Sequence, residues 1–553
     1  MSRDRWIWLL ILGLIVTGFL IGMPIGFPLD DAWIFTVFAA NLRNLGEWSY
    51  NPGEPCAGVT SLLWTWLLSW IPESSGYPFR SEVIGARTLS LLLSFLPLAL
   101  CLPTIFASGL AGSNRFRHRV GGILSLIALG HGIWLFHAFS GMETTLFVST
   151  GVCAIYFFHR SNHWLSGLFC FFLVLIRLEG FLLGGLLLVA NLFSAINRSL
   201  WKRPWVGVSA CLSGTGAGVV SVAVHNYRLF GNPFPATFAG RRFLFGLDPD
   251  RIHWTEFGNH LHGFTVSWIE RVHDWYWMDN FLPGQISVGG AEVHPLSLLF
   301  SAVAFIGFLV FTIRIFEPGY WRRMNPIFLL TIWAFLHNLL YTAVLPTGAH
   351  AGRYQAMNYL LVPYWTAFGG QELIRFALNF RGMNAYTPRR RIAERLTYVW
   401  VVILIIPTAV SFLVWKDVMT LGIERIQNLH MAMGMWAEGN LPEDSRIVAF
   451  DLGGIAMTTD LYIIDQSGLL DDRGLESFRK HNSPTFYRER GATHLFRFER
   501  LDDPTPTFDP AWKTGLTLLH RLSLPEEIGL DREACQNTWS RCSMYRIEYL
   551  EGE

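Results

Sequence analysis

Charged residues are scarce in this 553-residue sequence. Asp, Glu, Lys and Arg make up only 15% of the residues, and the formal net charge is +1. The chain therefore has no broad electrostatic field of one sign that would attract nucleic acid, and we expect no nucleic-acid partner. Hydrophobic residues supply 51% of the chain, with 23 Trp and 43 Phe. This composition is typical of a polytopic membrane protein.

Windows of about 17 to 25 apolar residues mark candidate membrane spans. Their number predicts an α-helical polytopic membrane protein with about eleven transmembrane helices. The windows lie near residues 6–27, 84–108, 120–138, 143–159, 164–177, 180–196, 204–225, 293–315, 325–345, 356–376 and 396–415.

Basic residues alternate between the connections and fix an expected orientation. The positive-inside rule places the arginine-rich connections, such as those at Arg115 and Arg389, in the cytoplasm. The N-terminus is then cytoplasmic, and the C-terminal region is periplasmic or extracytoplasmic on a plasma (inner) membrane protein. The first apolar run is not followed by a small-x-small cleavage site, so we expect it to remain as an anchor.

Four outer segments follow from this topology, at residues 28–83, 226–292, 346–355 and 416–553. The last has frequent charges and four strand-like runs, "SRIVAFDLGG", "LYIIDQSGLL", "THLFRFER" and "SMYRIEYL". We expect a transmembrane domain at 1–415 and a small soluble α/β domain at 416–553. The "DLGGIA" sequence lacks the GxGxxG spacing of a nucleotide site.

Cysteine is also sparse, with seven residues in the chain. No Cys/His spacing of the zinc type occurs. Cys535 and Cys542 share the outer domain, where disulfides are permitted, and we expect a bridge between them.

Asp30 and Asp31 stand where the first span leaves the membrane, a costly place for two carboxylates. The sequence "DDAWIFTVFAANLRNLG" predicts a helix that ends near Gly46, with Asp30 as N-cap and Asp31 in the first turn. Capping explains one carboxylate. Repulsion within the pair would make one of them hold its proton more tightly, as a general base requires. A divalent cation on the two aspartates is the alternative, and no cofactor is otherwise indicated.

Two arginines lie at outer span ends among apolar residues. Arg177 and Arg353 are candidates to bind an anion such as a phosphate. The alternative for Arg177 is an ion pair with Glu179 or Glu143 that ties helices together. Glu143 also starts a helix, where a carboxylate favours the dipole.

A further group of polar residues lies in the outer loops. His225 and Arg228 would line an acceptor groove or anchor the helix end at the membrane surface. His350 shares the short "PTGAHAGRYQ" loop with Arg353.

The stretch "LDDAWIFTVFAANLRNLGEWSYNPGEPCAGVTSLLWT" resembles the first outer loop of GT-C class membrane glycosyltransferases. The similarity is greatest to the branch containing mycobacterial-type arabinofuranosyltransferases and related bacterial enzymes. Further matches are "SGMETTLF", "RLEG", "NYRLFGNPFPATF" and "GRYQAMNYLLVPYW", the last containing Arg353 and Tyr354. Similar sequences often carry a lysine after "PATF", where this chain has Arg241 and Arg242 nearby.

The resemblance implies a polyprenyl-phosphate-linked sugar as donor and transfer on the outer face to a glycan, glycolipid or protein acceptor. It also implies an acidic residue of the first outer loop as catalytic base. We expect Asp30 to be the base and Asp31 to orient it, or the two to exchange roles. A lipid or glycoside flippase and a ligase that uses a diphosphate-linked glycan are the alternative functions. A transporter usually has repeats and midplane polar residues, whereas here the charges gather at outer span ends.

Overall fold

The structure is a computed structural model. It describes residues 3–56, 58–74, 76–197, 204–233, 242, 258, 260–262, 275, 286–288, 291–315, 325–345, 352–380, 387–466, 468, 470, 483–499, 504–509, 514–524 and 541–549.

Helices dominate the described chain up to residue 440. The α-helices are α1 Arg3–Leu20, α2 Asp30–Leu45, α3 Leu62–Leu68, α4 Arg80–Ser90, α5 Leu96–Gly109, α6 Asn114–Gly130, α7 Gly132–Phe139, α8 Thr144–His159, α9 His163–Ile176, α10 Phe181–Asn197, α11 Pro204–Phe230, α12 Pro295–Ile315, α13 Pro326–Val344, α14 Ala356–Phe380, α15 Thr387–Ile403, α16 Ile405–Arg425, α17 Ala432–Asn440, α18 Gly453–Ala456 and α19 Ser483–Glu489. Two π-helical stretches, Leu91–Phe95 and Ile426–Met431, and two 3₁₀ turns, Leu178–Gly180 and Arg353–Gln355, join some of them.

Six helical stretches of the described chain are long and apolar enough to cross a membrane: Arg80–Gly109, Leu178–Ile196, Pro204–Leu229, Pro295–Arg314, Pro326–Val344 and Arg389–Asn440. Helices α6 and α7 form a pair bent by 59°, and this pair is a seventh candidate span if it crosses the membrane as one unit. Shorter apolar helices occupy three more of the predicted windows. The helical membrane architecture is confirmed, and the count of eleven spans stays a prediction.

A six-stranded sheet follows the helices. Its strands are β3 Arg446–Ala449, β4 Tyr462–Asp465, β5 His494–Glu499, β6 Phe508–Asp509, β7 Thr514–Ser523 and β8 Arg541–Tyr549, and a separate hairpin pairs β1 Ile286–Val288 with β2 Ala291–Val293. The order is β4-β3-β5-β8-β7-β6, with β3 parallel to both neighbours and the other pairs antiparallel. We call residues 446–549 the sheet domain.

The predicted sheet is confirmed, since the strand-like runs chosen from the sequence form β3, β4, β5 and β8. β3 presents Ile447, Val448 and Ala449 to the interior, as a strand covered on both faces does. The boundary expected at residue 416 falls inside α16, and the first strand of the sheet begins at Arg446.

Small residues allow α12 and α14 to pack closely. A Cβ atom added at Gly307 would overlap the Trp365 carbonyl oxygen, and one added at Gly369 would overlap that of Val303. Backbones that approach this closely are typical of membrane helix pairs joined by small residues.

We expect Gly307→Ala to destabilise the protein by about 1–3 kcal/mol, because the methyl group must push two backbones apart. Thermal unfolding in detergent measures the change. Gly185→Ala is the matched control, since a Cβ at that helical position meets no atom within 4 Å. An equal effect of both substitutions would contradict this account of the packing.

Candidate functional site

Asp30 connects the start of α2 to the sheet domain. Its Oδ2 accepts a hydrogen bond from the amide of Gly453 at 2.7 Å, and its Oδ1 accepts one from the amide of Gly454 at 2.8 Å. Nδ1 of His430 lies 3.1 Å from the same Oδ1. Both carboxylate oxygens are thus engaged by groups 400 or more residues away in the chain.

The predicted N-cap role of Asp30 is wrong. Leu29 is the N-cap of α2, without a side-chain hydrogen bond, and Asp30 is the first helical residue. The Asp30 carboxylate accepts from the α18 amides of Gly453 and Gly454. The end of the helix was predicted well, since Gly46 is the C-cap in the left-handed region with φ 71°.

The glycines of "DLGGIA" have a structural cause. A Cβ at position 453 would overlap the Asp30 carbonyl oxygen and crowd the amide of Ile34. A Cβ at position 454 would lie 2.7 Å from the His430 Cβ. Glycine therefore lets the turn after β3 reach the start of α2.

His430 lies on the π-helical stretch between α16 and α17, a local geometry that often occurs at functional sites. Its side chain is fully buried, and the ring packs against Phe498 with centroids 4.5 Å apart. Within the described residues its Nε2 has no hydrogen-bond partner.

Asp31 forms an ion pair with Arg353, whose Nη1 lies 2.7 Å from Asp31 Oδ2. The arginine side chain is 1% exposed and the aspartate 22%, so the carboxylate is the accessible member of the pair. Arg353 Nη2 also donates to the Tyr354 hydroxyl at 2.9 Å. Among the described residues, its buried Nε has no hydrogen-bond acceptor.

Arg177 is surrounded by oxygen atoms. Its Nε donates to Glu179 at 2.6 Å, its Nη1 to Glu143 at 2.8 Å and its Nη2 to the Tyr341 hydroxyl at 2.6 Å. Tyr341 in turn donates to Glu179 at 2.7 Å. Arg177 thus forms the alternative ion pairs expected from the sequence, with both Glu143 and Glu179. Together with Tyr341, these carboxylates hold the end of α9 to α8 and α13.

Tyr354 joins the two arginines. Its ring lies 5.2 Å from the Arg177 guanidinium carbon and 5.0 Å from that of Arg353. It also stacks on Tyr341 with centroids 4.8 Å apart. Each cation therefore has an aromatic face as well as a carboxylate. A small cavity lies beside this group, lined in part by Arg177, His337 and Arg353.

Asp451 is a third carboxylate near the pair at the start of α2. Burial, together with the charges of Asp30 and Asp31, raises its pKa from 3.8 to about 6, while His430 and Arg425 act in the opposite direction. Its pKa thus lies closer to neutrality than that of an ordinary aspartate, as suits a group that takes up or releases protons.

The remaining predicted site residues are His225, Arg228, Arg241, Arg242 and His350. The His225 and Trp48 rings meet edge-on with their centroids 4.7 Å apart, and Arg228 is exposed at the end of α11. Arg242 is buried and donates to the Val344 carbonyl, at the end of α13. Arg241 and His350 lie outside the described residues.

One residue of the predicted disulfide is described. Cys542 lies on β8, and its sulfur lies 3.6 Å from the Leu429 carbonyl oxygen. Cys535 lies outside the described residues, so the pairing stays a prediction. In the part of the chain that is described, no three His, Cys, Asp or Glu side chains are arranged to hold a metal ion.

Sequence reasoning missed Tyr341, His337, His430 and Asp451. Polar residues within the apolar window "FLHNLLYTAV" were a usable signal for the first two, because such groups are costly in a span. His430 and Asp451 carried no comparable signal, since their position depends on how the sheet domain docks.

Comparisons with known proteins show the fold. A family profile described as Domain of unknown function (DUF8728) matches residues 421–517. The search of curated proteins gives no match. The apo crystal structure of ArnT from Cupriavidus metallidurans aligns with a TM-score of 0.51 at 13% identity, covering 99% of this chain and 98% of that one. ArnT bound to undecaprenyl phosphate aligns with a TM-score of 0.48 at 14% identity, over the same shares of both chains.

Another structure of similar fold is that of the Archaeoglobus fulgidus oligosaccharyltransferase tethered to an acceptor peptide. It aligns with a TM-score of 0.50 at 11% identity, covering 90% of this chain and 69% of that one. The chain therefore has the fold of GT-C class membrane glycosyltransferases.

We expect Asp451→Asn to stabilise the protein at pH 7.5 by up to about 3 kcal/mol. The folded-state pKa lies above 3.8, so the folded protein binds the Asp451 proton more tightly. Stability is then lost as the pH rises from about 4 to about 6, where the carboxylate becomes charged.

Thermal unfolding of both proteins across this range measures the difference, which should vanish at pH 4. Asp444→Asn, at an exposed position two residues before the sheet domain, should leave the unfolding temperature unchanged at every pH. A benefit of Asp451→Asn that is equal at pH 4 and pH 7.5 would contradict the assignment.

Proposed function

We propose that the chain is a membrane glycosyltransferase that moves a sugar from a polyprenyl-phosphate donor to an acceptor hydroxyl. The observation that carries the proposal is the Asp31–Arg353 ion pair at 2.7 Å, where a buried cation and a partly exposed carboxylate lie side by side. The GT-C fold supports it, and ArnT, which has this fold, is a protein that binds undecaprenyl phosphate. The sequence resemblance suggests arabinofuranose as the sugar and the cell envelope as the location of the acceptor.

Arg353 is the proposed phosphate ligand. It is buried, it carries a permanent charge, and its Nε has no hydrogen-bond acceptor among the described residues. Arg177 is a weaker candidate, because Glu143, Glu179 and the Tyr341 hydroxyl already occupy its donors. We assign Arg177 and Tyr354 the role of positioning Arg353.

Asp31 is the proposed general base, and Asp30 is the anchor of the sheet domain. Both oxygens of Asp30 accept hydrogen bonds from the α18 amides, so a proton on this group would break the docking contact. Asp31 is 22% exposed and is held by Arg353. Of the two role assignments that the sequence left open, the geometry supports the exchanged one.

Binding of the donor would release Asp31, the proposed base, from its ion pair with Arg353. A phosphate bound to Arg353 competes with Asp31 for the guanidinium and weakens the ion pair, which raises the proton affinity of the carboxylate. Asp31 then takes the proton of the acceptor hydroxyl as its oxygen attacks the anomeric carbon. The bond from that carbon to the phosphate oxygen breaks, and polyprenyl phosphate leaves with its charge stabilised by Arg353. The reaction is a single displacement.

We expect Asp31→Asn to reduce sugar transfer at least about a hundredfold, because the amide cannot accept the proton. The same variant should bind undecaprenyl phosphate as tightly as the native protein or more tightly, since the competing carboxylate is gone. Transfer from a synthetic polyprenyl-phosphate sugar and binding of undecaprenyl phosphate are measured on the purified full chain.

Asp30→Asn is the matched control at the neighbouring position. It should lower the unfolding temperature, because an amide group cannot accept from both glycine amides with its oxygen alone, while the base stays in place. Near-native transfer by Asp31→Asn, or a loss of phosphate binding equal to its loss of transfer, would overturn the assignment of the base.

A further inference from the structure

A second cavity lies at the opposite end of the helical bundle. It has a volume of about 300 Å³ and forms where α5 and α8 end and where α6 and α13 begin. α8 runs from Glu143 at the candidate site to His159 at this cavity, and α13 runs back from Asn325 to Tyr341. The length of α8 separates the two places by about 24 Å.

Basic side chains line this cavity. Arg117, His118 and His159 face it, and its described lining contains no carboxylate. The Nε atom of Arg117 is buried and has no hydrogen-bond acceptor in the described part of the chain. Glu394, a nearby acid, is engaged elsewhere, since it accepts from the Ser113 amide at 2.6 Å and from Arg390 at 3.1 Å.

The floor of the cavity is polar and fixed. Asn325 donates to the Ser108 carbonyl oxygen at 2.7 Å, and the Ser108 hydroxyl donates to the Asn325 side chain. These bonds join the end of α5 to the start of α13. Asn114, at the start of α6, adds an amide side chain to the lining.

We propose that this cavity binds the phosphate group of an anionic phospholipid. A phosphate supplies the acceptor oxygens for Arg117 and for the histidines, and basic pockets between membrane helices are known to hold lipid head groups. The lipid is favoured over free phosphate because the cavity lies at the ends of α5 and α13, which belong to stretches long and apolar enough to cross a membrane. Trp164, exposed in the first turn of α9 just after the end of α8 at His159, has the character of a residue at head-group depth. The proposal is independent of the proposed sugar transfer.

Native mass spectrometry of the purified full chain tests the inference, with phosphatidylglycerol and phosphatidylcholine as probes. We expect retention of phosphatidylglycerol and not of phosphatidylcholine. Arg117→Gln should reduce the bound fraction about fivefold or more, and His118→Gln, at an exposed position, should reduce it in the same direction.

Arg115→Gln is the matched control, because Arg115 is exposed on the same helix end and does not line the cavity. It should leave binding unchanged. Equal retention of the two lipids, or equal losses in Arg115→Gln and Arg117→Gln, would overturn the site, since both charges would then act only as general surface charge.

Inorganic phosphate distinguishes the source of the ligand. The lipid assignment predicts that phosphate at millimolar concentration does not displace phosphatidylglycerol. If inorganic phosphate displaces phosphatidylglycerol completely from the native protein but not from Arg117→Gln, the ligand is a soluble phosphate and the lipid assignment is overturned. Thermal unfolding of each variant in the same detergent shows that it is folded when its lipid binding is measured.

Discussion

The hydrogen bonds from the Gly453 and Gly454 amides to the Asp30 carboxylate determine how the sheet domain sits on the helical bundle. Bonds to a charged group contribute about 1.5–3 kcal/mol each. The neighbouring loop strengthens the contact, because the Tyr50 hydroxyl donates to the Leu452 carbonyl at 2.7 Å and Asn51 exchanges two hydrogen bonds with Ile463. The docked domain then brings Asp451 into the electrostatic environment of Asp31.

Adjacent carboxylates at the start of one helix can serve different purposes because neighbouring residues point about 100° apart. Asp30 faces the sheet domain, and Asp31 faces Arg353. Three carboxylates, Asp31, Glu143 and Glu179, share two arginines, so a bound phosphate has to compete with a carboxylate for its cation. Glu143 and Glu179 hold Arg177 through several bonds, whereas Asp31 holds Arg353 through one ion pair. The weaker connection is the one that a donor can replace.

The sequence was sufficient to find most of the charged residues of the candidate site, although not Asp451. Asp31, Arg177, Glu143, Glu179 and Arg353 were conspicuous because ionisable groups at the ends of apolar spans are costly, and the structure brings all of them together. The four strands chosen from their apolar patterns were also recovered. The partners of Asp30 were not predictable, since they depend on tertiary contacts across more than 400 residues. For the same reason, its assignment as an N-cap followed local preference and failed.

A structure of the protein determined with undecaprenyl phosphate tests the central claim most directly. The account predicts phosphate oxygens within about 3 Å of the Arg353 guanidinium nitrogens, with the Asp31 carboxylate displaced from its 2.7 Å contact and Asp30 still bound to the α18 amides. Phosphate density away from Arg353, with the Asp31–Arg353 ion pair intact, would contradict it.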